Sequence, residues 1–151
     1  MGILTITFDD GYKDTFEHCA GFLHENDIKA TFAVPSSCIG GTLENRPVVE
    51  KTDILSLQKM EHEVASHTAH HVNLLDLFQK KGENAVSDEM SLSKIELEKI
   101  LGQGQVKSFV FPFIEANNTP ELRKMASFLV GFKVVIFIRQ AINMHLTFFF
   151  G

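Results

Sequence analysis

Two short segments hold the side chains best suited to hydrolytic chemistry. Thr7-Phe8-Asp9-Asp10-Gly11 closes an apolar run that begins at Ile3, and His67-Thr68-Ala69-His70-His71 lies far along the chain. One carboxylate and two imidazoles make a facial ligand set that leaves positions on a divalent ion open to water and substrate. The remaining carboxylate stays free to move protons. Residue types alone do not decide which aspartate binds. Adjacent side chains on an extended segment point to opposite sides, and a turn at Gly11 brings the second one back toward the water. On a helical turn, His67 and His71 at i and i+4 share a face and reach one ion. Each segment also has a plainer reading. Paired aspartates before glycine often only form turns or cap helices, and a histidine-rich stretch is equally a solvated loop. The coupling of the two segments is what favours a site.

Strand-like and helix-like patterns alternate around these segments. Ile3 to Phe8 is a β-branched, apolar run stopped by Asp9-Asp10-Gly11. Lys13 to Glu25 predicts a helix, with Phe16, Cys19, Ala20 and Leu23 on one apolar face and Asn26-Asp27 at its end. Ala30 to Val34 is a short buried strand, stopped by Pro35 and a loop rich in Ser, Cys and Gly through Gly41. Thr52 to Met60 predicts a helix with Thr52 as N-cap, and Glu63 to Ser66 a strand that delivers His67. Ser87 to Leu101 reads as helix. Ser93 and Glu96 have capping-box spacing but sit too deep to start it. Gly102-Gln103-Gly104 ends it, Ser108 to Phe111 is the next strand, and Thr119-Pro120 opens a helix through about Ser127. Phe132 to Ile138 and His145 to Phe150 complete the strands. Strand, helix, strand in repetition predicts an α/β fold of mostly parallel strands with crossover helices, and such sheets bind ligands at the carboxyl ends of their strands. The candidate ligands fall there.

A chain of 151 residues with 44% apolar content supports one domain, 1–151, with a real core. A net charge of −5 with 14 Lys plus Arg offers no basic run to track a phosphate backbone, so nucleic acid is not an expected partner. Cys19 and Cys38 read as reduced thiols rather than a disulfide. The most apolar stretch, Phe128 to Ile138, is broken by Lys133 and too short for the ~20 residues of a spanning helix. Met1-Gly2 leads straight into Ile3 without room for a signal peptide, so the chain as written reads as cytoplasmic. A piece of a longer secreted protein would look the same.

The two motifs and the segments between them resemble the polysaccharide deacetylases, the NodB-homology or carbohydrate esterase family 4 fold. Thr7 to Gly11 is similar to that family's first motif and His67 to His71 to its second, H-[ST]-x-x-H, with Ala30-Thr31-Phe32 and His62-Glu63-Val64 similar to intervening segments. Phe109-Val110-Phe111-Pro112-Phe113 resembles the third motif in the branch that lacks its arginine. The resemblance covers roughly Ile3 to Ile138. It implies a distorted or incomplete (β/α) barrel of about six mostly parallel strands, a divalent metal cofactor with zinc first among candidates, and an N-acetylated carbohydrate substrate. It makes Asp9 the general base and Asp10, His67 and His71 the metal ligands. Pro112 and Phe113 fall at the substrate, with the Phe113 backbone N–H as an oxyanion donor. The family's acid near the carboxyl end would here be His145, the only histidine after His71.

Several departures bear on activity. Val110 replaces the arginine that tunes the catalytic aspartate in many members, Ile114 stands where a glycine usually follows, and without any Trp the fourth motif is not recognisable. The tail from Phe137 is short and apolar, ending in Phe148-Phe149-Phe150, which fits a truncated member and favours a homo-oligomer or a covering segment. The leading reading is a metal-dependent deacetylase of N-acetyl sugars. The alternatives are hydrolysis of an O-acetyl ester or small amide, and an impaired member that only binds metal or carbohydrate.

Overall fold

The computed structural model of the chain describes residues 5–113, 119–132 and 134–136. Its main sheet has five strands, all parallel: β1 (Thr7–Phe8), β2 (Thr31–Val34), β5 (Glu63–Ser66), β6 (Ser108–Val110) and β7 (Val134–Ile136), paired in that order. A small antiparallel hairpin, β3 (Thr42–Leu43) and β4 (Arg46–Pro47), lies between β2 and β5 in sequence. The strand order never reverses. Every crossover therefore advances in one direction, which builds the curled wall of a barrel, here an incomplete one, rather than a doubly wound sheet.

Helices fill the connections. The first runs from α1 (Lys13–Thr15) through a π-helical turn (Phe16–Ala20) into α2 (Gly21–Glu25), spanning the expected segment. Ala20 and Leu23 are buried there, with Phe16 and Cys19 packed against the core. α3 (Lys51–Lys59) begins earlier than expected, and its N-cap is Glu50 rather than Thr52. The Asp53 carboxylate accepts the Glu50 N–H at 2.8 Å, and Lys13 pairs with Glu50 at 2.8 Å, which fixes the helix start against α1. α4 (Leu74–Leu101) also extends well before the expected Ser87. Asn73 caps it by accepting the Asp76 N–H at 3.0 Å, and Gly82, at φ 80°, joins two helical runs across a kink. α5 (Pro120–Lys124) starts as the Thr119-Pro120 signal requires, with Thr119 Oγ1 accepting the Leu122 N–H. Both cysteines are free and half-buried. The expected strand from His145 to Phe150 lies outside the described residues.

Alternation along the strands sorts the core into two faces. Phe32, Val64 and Phe109 belong to the main cluster, with Ile54 and Leu57 of α3 and Val86, Met90 and Leu97 of α4. Ala33, Ala65 and Val110 form a separate buried cluster. Ala33 and Ala65 are register partners, and small side chains suit the crowded inner face of a curling wall. No helix among the described residues is long and apolar enough to cross a membrane.

Phe109 is fully buried, edge-on to Phe111 and 5.1 Å from the Phe132 ring. Phe109→Ala should cost about 3–5 kcal/mol of folding stability. Urea unfolding checks this, and a loss below about 1 kcal/mol would mean that the site collapses without a cavity.

Candidate metal centre

The strands end where the chemistry begins. After Phe8 the chain turns through Asp10 and Gly11, both in the left-handed region at φ 70° and 64°. A Cβ on Gly11 would meet Val34 Cγ1 at 3.2 Å, so the turn nests against the end of β2 and needs glycine in both respects. The Gly11 carbonyl accepts the Val49 N–H at 2.9 Å, which ties this turn to the segment leading into α3.

β5 delivers His67 at its carboxyl end, as expected, but His67 to His71 is not a helical turn. It is a loop in which Thr68 and His71 take positive φ, 63° and 54°. Thr68 Oγ1 accepts the Val72 N–H at 3.3 Å and tightens the loop, bringing the two imidazoles together by turn geometry instead of helical periodicity. Their ring centroids are 5.1 Å apart.

Asp10 Oδ1 lies 3.4 Å from His67 Nε2 and 3.0 Å from His71 Nε2, and the three candidate ligand atoms all fall within 4.8 Å of one another. The His67 and His71 side chains are 2% and 9% exposed, whereas Asp10 keeps 31%. The centre is thus walled by imidazole and open on the carboxylate side. Burial by itself raises the Asp10 carboxyl, but the two imidazoles beside it outweigh that and hold Asp10 well below the usual carboxylate range.

The group these residues fit can be tested on His67. Its Nδ1 lies 2.9 Å from the Val110 carbonyl oxygen, which can only accept. The ring proton therefore sits on Nδ1, and in the neutral imidazole the Nε2 lone pair faces Asp10 Oδ1. Two lone pairs aimed at a common point call for a cation between them. A divalent ion suits that donor set of one carboxylate and two imidazoles.

The other candidates sort by distance from this point. Asp9 is beside it: its Oδ1 is buried and accepts no hydrogen bond among the described residues, and burial pushes its carboxyl up despite the lowering effect of His67. Phe113 is beside it too, with its ring 4.8 Å from that of His71, a positive φ of 59° and 46% exposure. Pro112 is buried just before it. His70 turns away from the centre to Glu89 on α4, at 3.0 Å. His62 is an ordinary core histidine, held by the Ala20 carbonyl and the Ala30 N–H. His18 and His24 bind backbone carbonyls at the surface. His145 and Ile114 lie outside the described residues. The sequence did not reveal the Val110 carbonyl as the partner of His67, since a backbone atom leaves no trace in residue type.

The family description "Polysaccharide deacetylase" matches residues 2–129. A sequence comparison with curated proteins found no match. Among solved structures, IcaB from Ammonifex degensii superposes with a TM-score of 0.76 at 20% identity, over 87% of this chain and 57% of that one. The Streptococcus pyogenes deacetylase PplD, in complex with acetate, gives 0.70 at 21% identity, over 85% and 53%. A family 4 carbohydrate esterase from Streptomyces lividans, in complex with acetate, gives 0.67 at 21%, over 89% and 62%. The chain thus spans under two thirds of the length of each. With the matched region taking in both motifs and the strands that present them, the chain belongs to the polysaccharide deacetylase family.

Proposed function

We propose that this chain removes acetyl groups from N-acetylated sugars or polysaccharide, with a divalent metal, zinc first, held by Asp10, His67 and His71. The observation that supports it most is the meeting of Asp10 Oδ1 with Nε2 of both histidines beside a buried, partnerless oxygen of Asp9. A bound divalent ion supplies Lewis acidity, lowering the pKa of water and polarising the acetyl carbonyl.

The chain's own groups carry the rest. Asp9 is the general base: its carboxylate takes a proton from the attacking water, and the burial that raises its pKa makes it a stronger acceptor. The Phe113 N–H donates to the acetyl oxygen as negative charge develops there. The exposed Phe113 ring, tilted against His71, offers an apolar wall beside the acetyl methyl, and Pro112 shapes that turn. His145 is the proposed donor of the proton that the departing sugar amine needs. Two of the solved relatives carry acetate, the product such a reaction releases.

The zinc-loaded chain should release acetate from N-acetylglucosamine oligomers, and Asp9→Asn should slow this by about 10²–10⁴-fold while zinc stays bound. An Asp9→Asn rate equal to wild type would remove Asp9 from the chemistry. Acetate from acetylated xylan alone would move the substrate to O-acetyl esters, and zinc binding without acetate from any acetylated substrate would identify a binding module. Removing the metal with EDTA should abolish acetate release and added zinc should restore it. Activity that survives complete removal of metal would contradict the metal-dependent reading.

A further inference from the structure

α4 turns a polar stripe toward the loops that carry the site. Glu89, Ser93 and Glu96, at i, i+4 and i+7, share one helical face. Glu96 Oε2 accepts from Ser36 Oγ at 2.6 Å and from Ser37 Oγ at 3.1 Å, just past the end of β2. These two serines donate their backbone N–H groups to the Thr68 and Ala69 carbonyls at 3.2 and 2.9 Å, so the loop after β2 is stitched along the histidine loop. The Ser66 and Ser93 hydroxyls, both fully buried, meet at 2.7 Å one residue before His67. Glu89 holds the far side: Oε1 accepts the His70 N–H at 2.6 Å, and Oε2 lies 3.0 Å from His70 Nδ1.

This stripe answers a physical need. Thr68 and His71 both sit at positive φ, a conformation that costs a non-glycine residue about 1–3 kcal/mol and persists only where its surroundings over-determine it. Carboxylate acceptors make hydrogen bonds roughly twice as strong as neutral ones. Two of them, about two helical turns apart, brace both sides of a loop that would otherwise relax. Neither carboxylate belongs to the Asp10, His67 and His71 group.

We propose that Glu89 and Glu96 are positioning residues, which hold the His67 to His71 loop in its metal-binding conformation before the ion arrives, Glu89 through His70 and Glu96 through Ser36 and Ser37. The proposal rests on the assignment of Asp10, His67 and His71 as metal ligands.

Titration of the metal-free protein with zinc chloride by calorimetry tests it, with Asp10→Ala run alongside. Glu89→Ala and Glu96→Ala should each weaken zinc binding about 10-fold or more. Glu89→Gln and Glu96→Gln, whose amide oxygens still accept, should stay within about threefold of wild type. Amide hydrogen exchange across 67–72 in the metal-free protein should speed up in the alanine variants and not in the glutamine ones. If Glu96→Ala does not fold, Ser36→Ala combined with Ser37→Ala cuts the same link and is held to the same outcome. Folded alanine variants that bind zinc within about twofold of wild type, while Asp10→Ala does not bind, would overturn the positioning role and leave the metal centre standing. Wild type that fails to bind zinc, or Asp10→Ala that binds as wild type does, would overturn the metal assignment and the positioning role with it.

Discussion

Because the Val110 carbonyl can only accept a hydrogen bond, His67 must carry its proton on Nδ1 and turn Nε2 toward Asp10. That single constraint links the sheet to the chemistry. Val110 ends β6 and His67 follows β5, and the two strands are joined in register through Ser66 and Phe109. The orientation of an imidazole at the candidate centre is therefore set by strand pairing. Outer partners of this kind fix tautomer and ring angle, and they control affinity as strongly as many direct contacts do.

The rest of the molecule supplies the remaining coordinates of the centre. The first turn is pinned by Gly11 against Val34 and by Val49, and the histidine loop is bound by Ser36 and Ser37, just past β2, and by α4. Asp10 thus comes from the end of β1 and both histidines from the loop after β5, and parallel pairing puts those strand ends on one rim. The sheet is buried on both faces, with Ala33, Ala65 and Val110 on one side and Phe109 on the other. Asp9 keeps a buried carboxylate oxygen with no hydrogen-bond partner among the described residues, and such an uncompensated group is costly unless function retains it.

Much of this was legible in the residues. Asp10, His67 and His71 come together, although the histidine spacing suggested a helical turn and left the choice between Asp9 and Asp10 open, and the helix at Lys13 to Glu25, the strands at β2 and β5 and the Thr119-Pro120 helix start follow from apolar periodicity and capping chemistry. What stayed hidden has physical reasons. The first half of α4 carries Lys80-Lys81-Gly82, which reads as a breaker, and Gly82 does leave helical geometry, yet the helix resumes at once. The β3–β4 hairpin turns on Glu44-Asn45, both at positive φ, without the glycine that usually marks such a turn. The histidine loop mimics helical spacing while obtaining its convergence from two left-handed residues, a conformation that Thr68 does not advertise. Ser93 and Glu96 look like a misplaced cap because their partners, Ser66 and Ser36, belong to other elements.

The central claim is that one cation is shared by Asp10, His67 and His71 while Asp9 stays unliganded. Anomalous diffraction at the zinc edge, from crystals of the zinc-loaded chain, addresses it most directly. A single strong peak within coordination distance of Asp10 Oδ1 and Nε2 of both histidines, with Asp9 beyond that distance, is the expected result. A peak bound by Asp9 in place of Asp10, or lying away from the two imidazoles, would contradict the account.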